Sequence, residues 1–160
     1  MSGDGSERRV CIVLGSNIQP ERHLRLAVEG LRVALGPLMV SSAWRTPAVG
    51  APGPDFLNAC VAAPTTLSAT ALKFRVLRPL EAQLGRVRNE DKNAPRVIDL
   101  DLILDDGVVL DPDVWTHEHL ALPLAELEPT LRNPQTGETL AETASRLEDR
   151  AARADILLQQ

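Results

Sequence analysis

Residues 97–104 read Val-Ile-Asp-Leu-Asp-Leu-Ile-Leu, and this alternation constrains the chain more than any other stretch. Side chains on an extended strand point to opposite faces with a period of two. Ile98, Leu100, Leu102 and Leu104 then form one apolar face, while Asp99 and Asp101 stand side by side on the other. Two carboxylates this close repel each other unless a cation lies between them. Carboxylate oxygens are the ligands that Mg²⁺ prefers, with substrate phosphates completing its shell. The competing reading is a solvated outer face on an edge strand, which is common in antiparallel sheets. The residues just upstream favour the first reading. Arg86, Arg88, Lys92 and Arg96 crowd into one turn, offset in part by Glu90 and Asp91. Guanidinium forks bind phosphate oxygens, and a metal neutralises the rest.

The other elements follow from local pattern. Arg9–Leu14 is a β-branched run ending at Gly15, a buried strand. Leu24, Ala27, Val28, Leu31 and Leu35 recur with helical period after Pro20, and Gly36-Pro37 closes that helix. Leu38–Thr46 reads as a second strand, residues 47–54 as a Pro/Gly loop and Phe56–Ala63 as a third strand. Ser68 caps a second helix carrying Leu72, Leu77, Leu80 and Leu84; Pro79 kinks it and Gly85 ends it. Val97–Leu104 is the fourth strand, Val108–Leu110 a short fifth, Leu120–Leu127 a short helix, and Thr139–Leu158 holds a final helix. The order β-α-β-β-α-β predicts an α+β, ferredoxin-like antiparallel sheet with helices on one face and C-terminal additions. Residues 1–8 read as a flexible tail and 9–160 as a single domain.

With 160 residues and a net charge of −5, the chain has the length of one domain and the wrong charge for a general nucleic-acid binder. Cys11 and Cys60 suit neither a disulfide scaffold nor a zinc site and read as reduced core residues. No apolar run is long enough for a membrane span or a signal peptide, which makes the cytoplasm the default. Neither a GxxxxGK[ST] motif nor a kinase-type glycine loop is present, so phosphoryl chemistry would run on loop arginines and the acid pair.

The stretch Gly85-Arg-Val-Arg88 … Ala94-Pro-Arg-Val-Ile-Asp-Leu-Asp-Leu-Ile-Leu104 resembles the signature of the 6-hydroxymethyl-7,8-dihydropterin pyrophosphokinase family of folate biosynthesis. Leu14-Gly-Ser-Asn17, Ser41-Ser-Ala-Trp-Arg-Thr-Pro47, Phe56-Leu-Asn-Ala59 and Pro123-Leu-Ala-Glu-Leu127 resemble further pieces in the family's order. The resemblance implies Mg-dependent transfer of pyrophosphate from ATP to the pterin hydroxymethyl group, releasing AMP, with two Mg²⁺ ions at Asp99 and Asp101. It implies Arg86, Arg96 and Asp99 as catalytic residues, and Arg88, Lys92, Arg96, Ile98 and His117 as ATP contacts. Gly15, Thr46, Pro47, Val49, Phe56, Asn58, Glu81 and His119 fall around the pterin. The partners implied are ATP and a reduced pterin, with no nucleic acid or membrane, on a monomer or weak homodimer.

The chain departs from the family pattern after the acid pair. It reads Asp111-Pro-Asp-Val-Trp-Thr-His-Glu-His-Leu-Ala-Leu-Pro123, shorter and without a His-Pro segment. His117 or His119 would replace the ATP-contacting histidine, and Trp115 or His119 the second stacking ring. Asn93 stands where the family often carries an aromatic. The alternative function is a degenerate paralogue or a non-catalytic pterin- or nucleotide-binding module.

Overall fold

The computed structural model of the chain describes residues 3–48, 53–87, 96–148, 151–154, 156 and 158. The central strand, β1 (Gly3–Ser16), starts earlier than the β-branched run, because Gly3 lies opposite Leu67 and Arg8 opposite Thr65. Most of the expected tail is therefore strand. α1 (Pro20–Leu35) opens with proline in its first turn and ends at Gly36. The second strand divides into β2 (Met39–Val40) and β3 (Trp44–Thr46), both antiparallel to β4 (Phe56–Leu67). Ser41 marks the break: its hydroxyl accepts from the Cys60 amide at 2.8 Å, in place of a ladder carbonyl.

Ser68 caps α2 (Ala69–Leu72), which widens into a π-helical turn at Lys73–Leu77 and continues as α3 (Arg78–Gln83). Pro79 has no N–H to give to the preceding turn, and the wide turn just before it absorbs that loss. β5 (Asp99–Asp105) and β6 (Val108–Val109) flank Asp106 and Gly107, whose φ angles of 52° and 82° are the left-handed pair that a two-residue hairpin needs. A 3₁₀ turn (Pro112–Trp115) leads into α4 (Glu118–Leu127) and α5 (Leu140–Leu147); Thr139 and Glu142 form a capping box on α5. The final helix is far shorter than expected. Beyond it the chain turns to β7 (Ala152–Arg153), which pairs with β3, and the Ala154 amide donates to Ala43. An open strand edge wins over the helix propensity of an Ala/Arg-rich segment.

The strands run β6-β5-β1-β4-β3-β7, with β2 also on β4, and the pairings among the described residues are antiparallel. Helices cover both faces rather than one. On the first face, Val10, Ile12 and Leu14 pack with Leu57, Ala59 and Leu100 beneath α1 and α3. On the second, Cys11, Val13, Cys60 and Ala62 pack beneath Trp115, Leu120, Leu124 and Leu140. Both cysteines are free and buried.

The apolar face expected on β5 also breaks. Cys11 pairs with Leu104 and Ile12 with Leu102, so Ile103 is an extra, bulged residue. The bulge sends Leu104 to the α4 side, while Ile98 and Leu100 stay on the α1 side.

Candidate active site

On the α4 side the sheet changes character two residues beyond Val13 and Cys60. Gly15 lies opposite both Asn58 and Asp99, and Val13 opposite Asp101. Trp44 lies opposite Asn58, and Thr46 opposite Phe56. Directly paired residues share a face, so Gly15, Thr46, Phe56, Asn58, Asp99 and Asp101 form one polar floor across four strands.

At one end of that floor, Asn58 donates through Nδ2 to Thr46 Oγ1 at 2.7 Å, and both residues are buried. Its Oδ1 is turned toward Gly15, where a Cβ would approach it to 3.0 Å and Phe56 to 3.8 Å. The absence of a side chain at Gly15 therefore leaves a shallow hollow beside a half-buried ring and a fixed amide. Pro47 follows Thr46 at the rim, half-buried.

At the other end, Arg86 bonds through Nη1 to Asp99 and to Glu81 Oε2, the latter at 2.9 Å, and Arg96 reaches Asp99 Oδ2 at 3.4 Å. Arg96 is fixed through its backbone: its amide donates to Asn17 Oδ1 at 2.7 Å and its carbonyl accepts from the Asn17 amide at 3.1 Å. Burial among the surrounding walls, then the neighbouring Asp99 carboxylate, pushes the Asp101 carboxyl up to about 7. Two carboxylates this close favour a proton or a cation between them. This donor set fits Mg²⁺. Among the described residues no third His, Cys, Asp or Glu joins the pair, so an ion here would complete its shell with phosphate oxygens and water.

Beside Asp101 a cavity of about 320 Å³ opens between β5 and the α2–α3 helix, lined among others by Lys73, Phe74, Leu77, Arg78 and Leu110. Phe74, 60% exposed, stands among these residues with the Lys73 ammonium 5.5 Å from its ring centre.

The remaining sequence candidates fall in several places. Ile98 is fully buried in the α1-side core, and its carbonyl accepts from Arg86. Glu81 sits beneath Arg86 at the β5 backbone, accepting from the Leu100 amide at 2.8 Å. His117 begins α4, 3.9 Å from Asp113, and its ring meets that of His119 edge-on at 5.6 Å between centres. Burial, and then His117, hold the His119 ring below its ordinary pKa, within electrostatic reach of Asp99. Trp115 packs into the α4-side core, which leaves His117 and His119 as the half-buried rings of that segment. Val49, Arg88, Lys92 and Asn93 lie outside the described residues. Sequence reading missed Asn17 as the clamp on Arg96. It also missed Arg78 and the cavity, although the Arg78–Glu81 spacing of three inside a helix was a visible signal.

An acid pair on one strand, guanidiniums on the same carboxylate and an adjoining cavity are the parts a phosphotransfer enzyme uses, here on an α+β scaffold. Residues 11–129 match the 7,8-dihydro-6-hydroxymethylpterin-pyrophosphokinase family. The chain is 34% identical over 138 residues to the 2-amino-4-hydroxy-6-hydroxymethyldihydropteridine pyrophosphokinase of Synechocystis sp., covering 79% of this chain and 70% of that protein. It is 36% identical over 152 residues to the pyrophosphokinase of the same name from Methylorubrum extorquens, covering 88% and 94%. The Plasmodium falciparum HPPK-DHPS structure with pteroate shares the fold, with a TM-score of 0.70 at 10% identity over 91% of this chain and 43% of that one. The chain belongs to the 7,8-dihydro-6-hydroxymethylpterin-pyrophosphokinase family, and with it to the ATP-dependent diphosphotransferases of folate biosynthesis.

Proposed function

We propose that this chain transfers pyrophosphate from ATP to 6-hydroxymethyl-7,8-dihydropterin on the sheet floor between Gly15 and Asp101, releasing AMP. The observation that carries this reading is the continuity of the floor: the fixed amide of Asn58 and the acid pair share one face, with Gly15 registered against both Asn58 and Asp99.

The pterin lies in the Gly15 hollow. Phe56 offers a ring face, and Asn58 and Thr46 offer acceptor and donor groups to the heterocycle edge. Pro47 closes the rim, the family resemblance adds Val49 to the pterin contacts, and His119, whose lowered pKa favours the neutral ring, supplies the opposing face. ATP places its nucleoside in the cavity beside Asp101 and its phosphates beside Arg86 and Arg96, and the family resemblance adds Arg88, Lys92 and His117 as ATP contacts. Mg²⁺, two ions in the family's pattern, would be held by Asp99 and Asp101 and would neutralise phosphate charge. The hydroxymethyl oxygen attacks the β-phosphorus as its O–H proton passes to water, and the bond from that phosphorus to the oxygen it shares with the α-phosphate breaks, so AMP leaves with that oxygen. A guanidinium carries five N–H donors, more than one carboxylate can take up. Arg86 Nη1 meets Asp99, Glu81 and the Ile98 carbonyl, and Arg96 Nη1 meets Asp99, so the Asp99 carboxylate orients both guanidiniums toward the phosphates.

The order β5-β1-β4-β3 with a helix after the first and third of these strands in sequence supports a ferredoxin-like βαββαβ unit. β6, the α4–α5 layer and β7 are then additions to it. Chromatography of the nucleotide product tests the function: with ATP, Mg²⁺ and the pterin, AMP accumulates in step with pterin pyrophosphate. Release of ADP, or nucleotide binding without turnover, would favour the non-catalytic alternative.

A further inference from the structure

One buried carboxylate ties the cavity wall to the acid pair. Glu81 is 2% exposed, and both of its oxygens are engaged. Oε1 accepts from Arg78 Nη1 at 3.2 Å. Oε2 accepts from Arg86 Nη1 at 2.9 Å and from the Leu100 amide at 2.8 Å. Arg78 lines the cavity together with Asp101, whereas Arg86 bonds to Asp99. The Leu100 amide pins the carboxylate to β5 between the two acids, so the separation of the two guanidiniums is set by the sheet and not by loop geometry.

We infer that Arg78 is a nucleotide-binding residue and that Glu81 is the positioning residue that spaces Arg78 and Arg86 so that one ATP meets both. The inference rests on the pyrophosphokinase reading above. Arg78 is part-exposed and spends one nitrogen on Glu81, which orients the remaining N–H groups without consuming them. A planar fork held by a buried anion presents phosphate or ribose oxygens with a preset geometry, which a mobile lysine in the same place would not. In this reading Glu81 acts through the two guanidiniums and not as the pterin contact that the family resemblance implies. Its effect on the reaction runs through Arg86, which bears on the transition state, whereas Arg78 bears on binding.

Steady-state kinetics of Arg78→Gln and Glu81→Gln, each with a melting curve, test the assignment. Arg78→Gln should raise KM for ATP about tenfold, the loss expected for one charge-assisted hydrogen bond, with a smaller fall in kcat. Glu81→Gln keeps the side-chain shape. It should lower kcat about tenfold or more, with a smaller change in KM for ATP, because a neutral amide no longer anchors Arg86. If Glu81→Gln does not fold, Arg78→Gln decides alone, since that side chain lies at the cavity wall. A wild-type KM for ATP in Arg78→Gln overturns the inference. So does a Glu81→Gln protein whose only deficit is a lower melting temperature. A wild-type chain that releases no AMP overturns the functional reading, and this inference with it.

Discussion

The two faces of the sheet are built from the same strands and behave differently. Toward α1 and α3, β1 presents Val10, Ile12 and Leu14 without interruption, and β5 answers with Leu100, all buried. Toward α4, β1 presents Cys11 and Val13 and then Gly15, while the neighbouring strands switch to Asn58, Asp99 and Asp101. The first face is a continuous core whose residues are interchangeable by size. The second is a core for half its length and a site for the rest. Its polar half is held by specific bonds, Asn58 on Thr46 and Asn17 on Arg96, rather than by bulk. A sheet that is apolar on one side throughout can afford acids on the other.

That contrast predicts opposite profiles for substitutions on the two faces. Asp101→Asn should cut turnover by about a thousandfold, because it halves the acid pair, while leaving the melting temperature unchanged or higher. A large drop in melting temperature would make that acid structural and erase the contrast. Leu24→Ala, fully buried under the first face, should do the reverse. It should lower unfolding free energy in urea by about 2–5 kcal/mol with kcat largely kept in the folded fraction. Gly15→Ala lies between the two. Its Cβ meets Asn58 Oδ1 at 3.0 Å, so KM for the pterin should rise about tenfold while KM for ATP stays near wild type. Equal effects on both substrates would show that the hollow is not the pterin's.

The smallest effect is the dependence of stability on pH. The Asp101 carboxyl titrates near 3.8 when unfolded and near 7 in the fold, so the folded chain binds the extra proton. Its contribution is present below the unfolded value and is lost as pH rises through the folded one. Metal-free protein should therefore melt at a lower temperature at pH 8 than at pH 6, by more than Asp101→Asn does. Added Mg²⁺ should recover the difference at pH 8. Parallel curves for the two proteins would remove the acid pair as its source.

Much of this was legible in the sequence, for reasons that are physical. The alternation around Asp99 and Asp101 put both acids on one face, since strand geometry leaves no choice over so short a distance. Pro20, Ser68, Gly85 and Gly107 marked element ends because each fits a backbone state that other residues resist. What could not be read was decided at long range. The Ile103 bulge depends on the β1 ladder, the early end of α5 on the free edge of β3, and the second helical layer on packing between residues some sixty apart or more, such as Cys60 and Leu124. Within the site, the acids and arginines were visible as a run. Glu81 was named only as a neighbour of the pterin; its place between Arg78 and Arg86 depends on how α3 packs against β5, with the i,i+3 spacing to Arg78 as the local trace of it.

The extra residue in β5 gives the strand some slack. Past Ile103 the chain could shorten by one without turning any remaining side chain over, since Leu104 and Asp105 would keep their partners Cys11 and Val10. A deletion one turn of the pleat earlier, at Leu100, would instead rotate Asp99 out of the floor and into the hydrocarbon beneath α1. Length variation in this strand is thus tolerable on one side of the kink and ruinous on the other, and the two acids sit on the ruinous side.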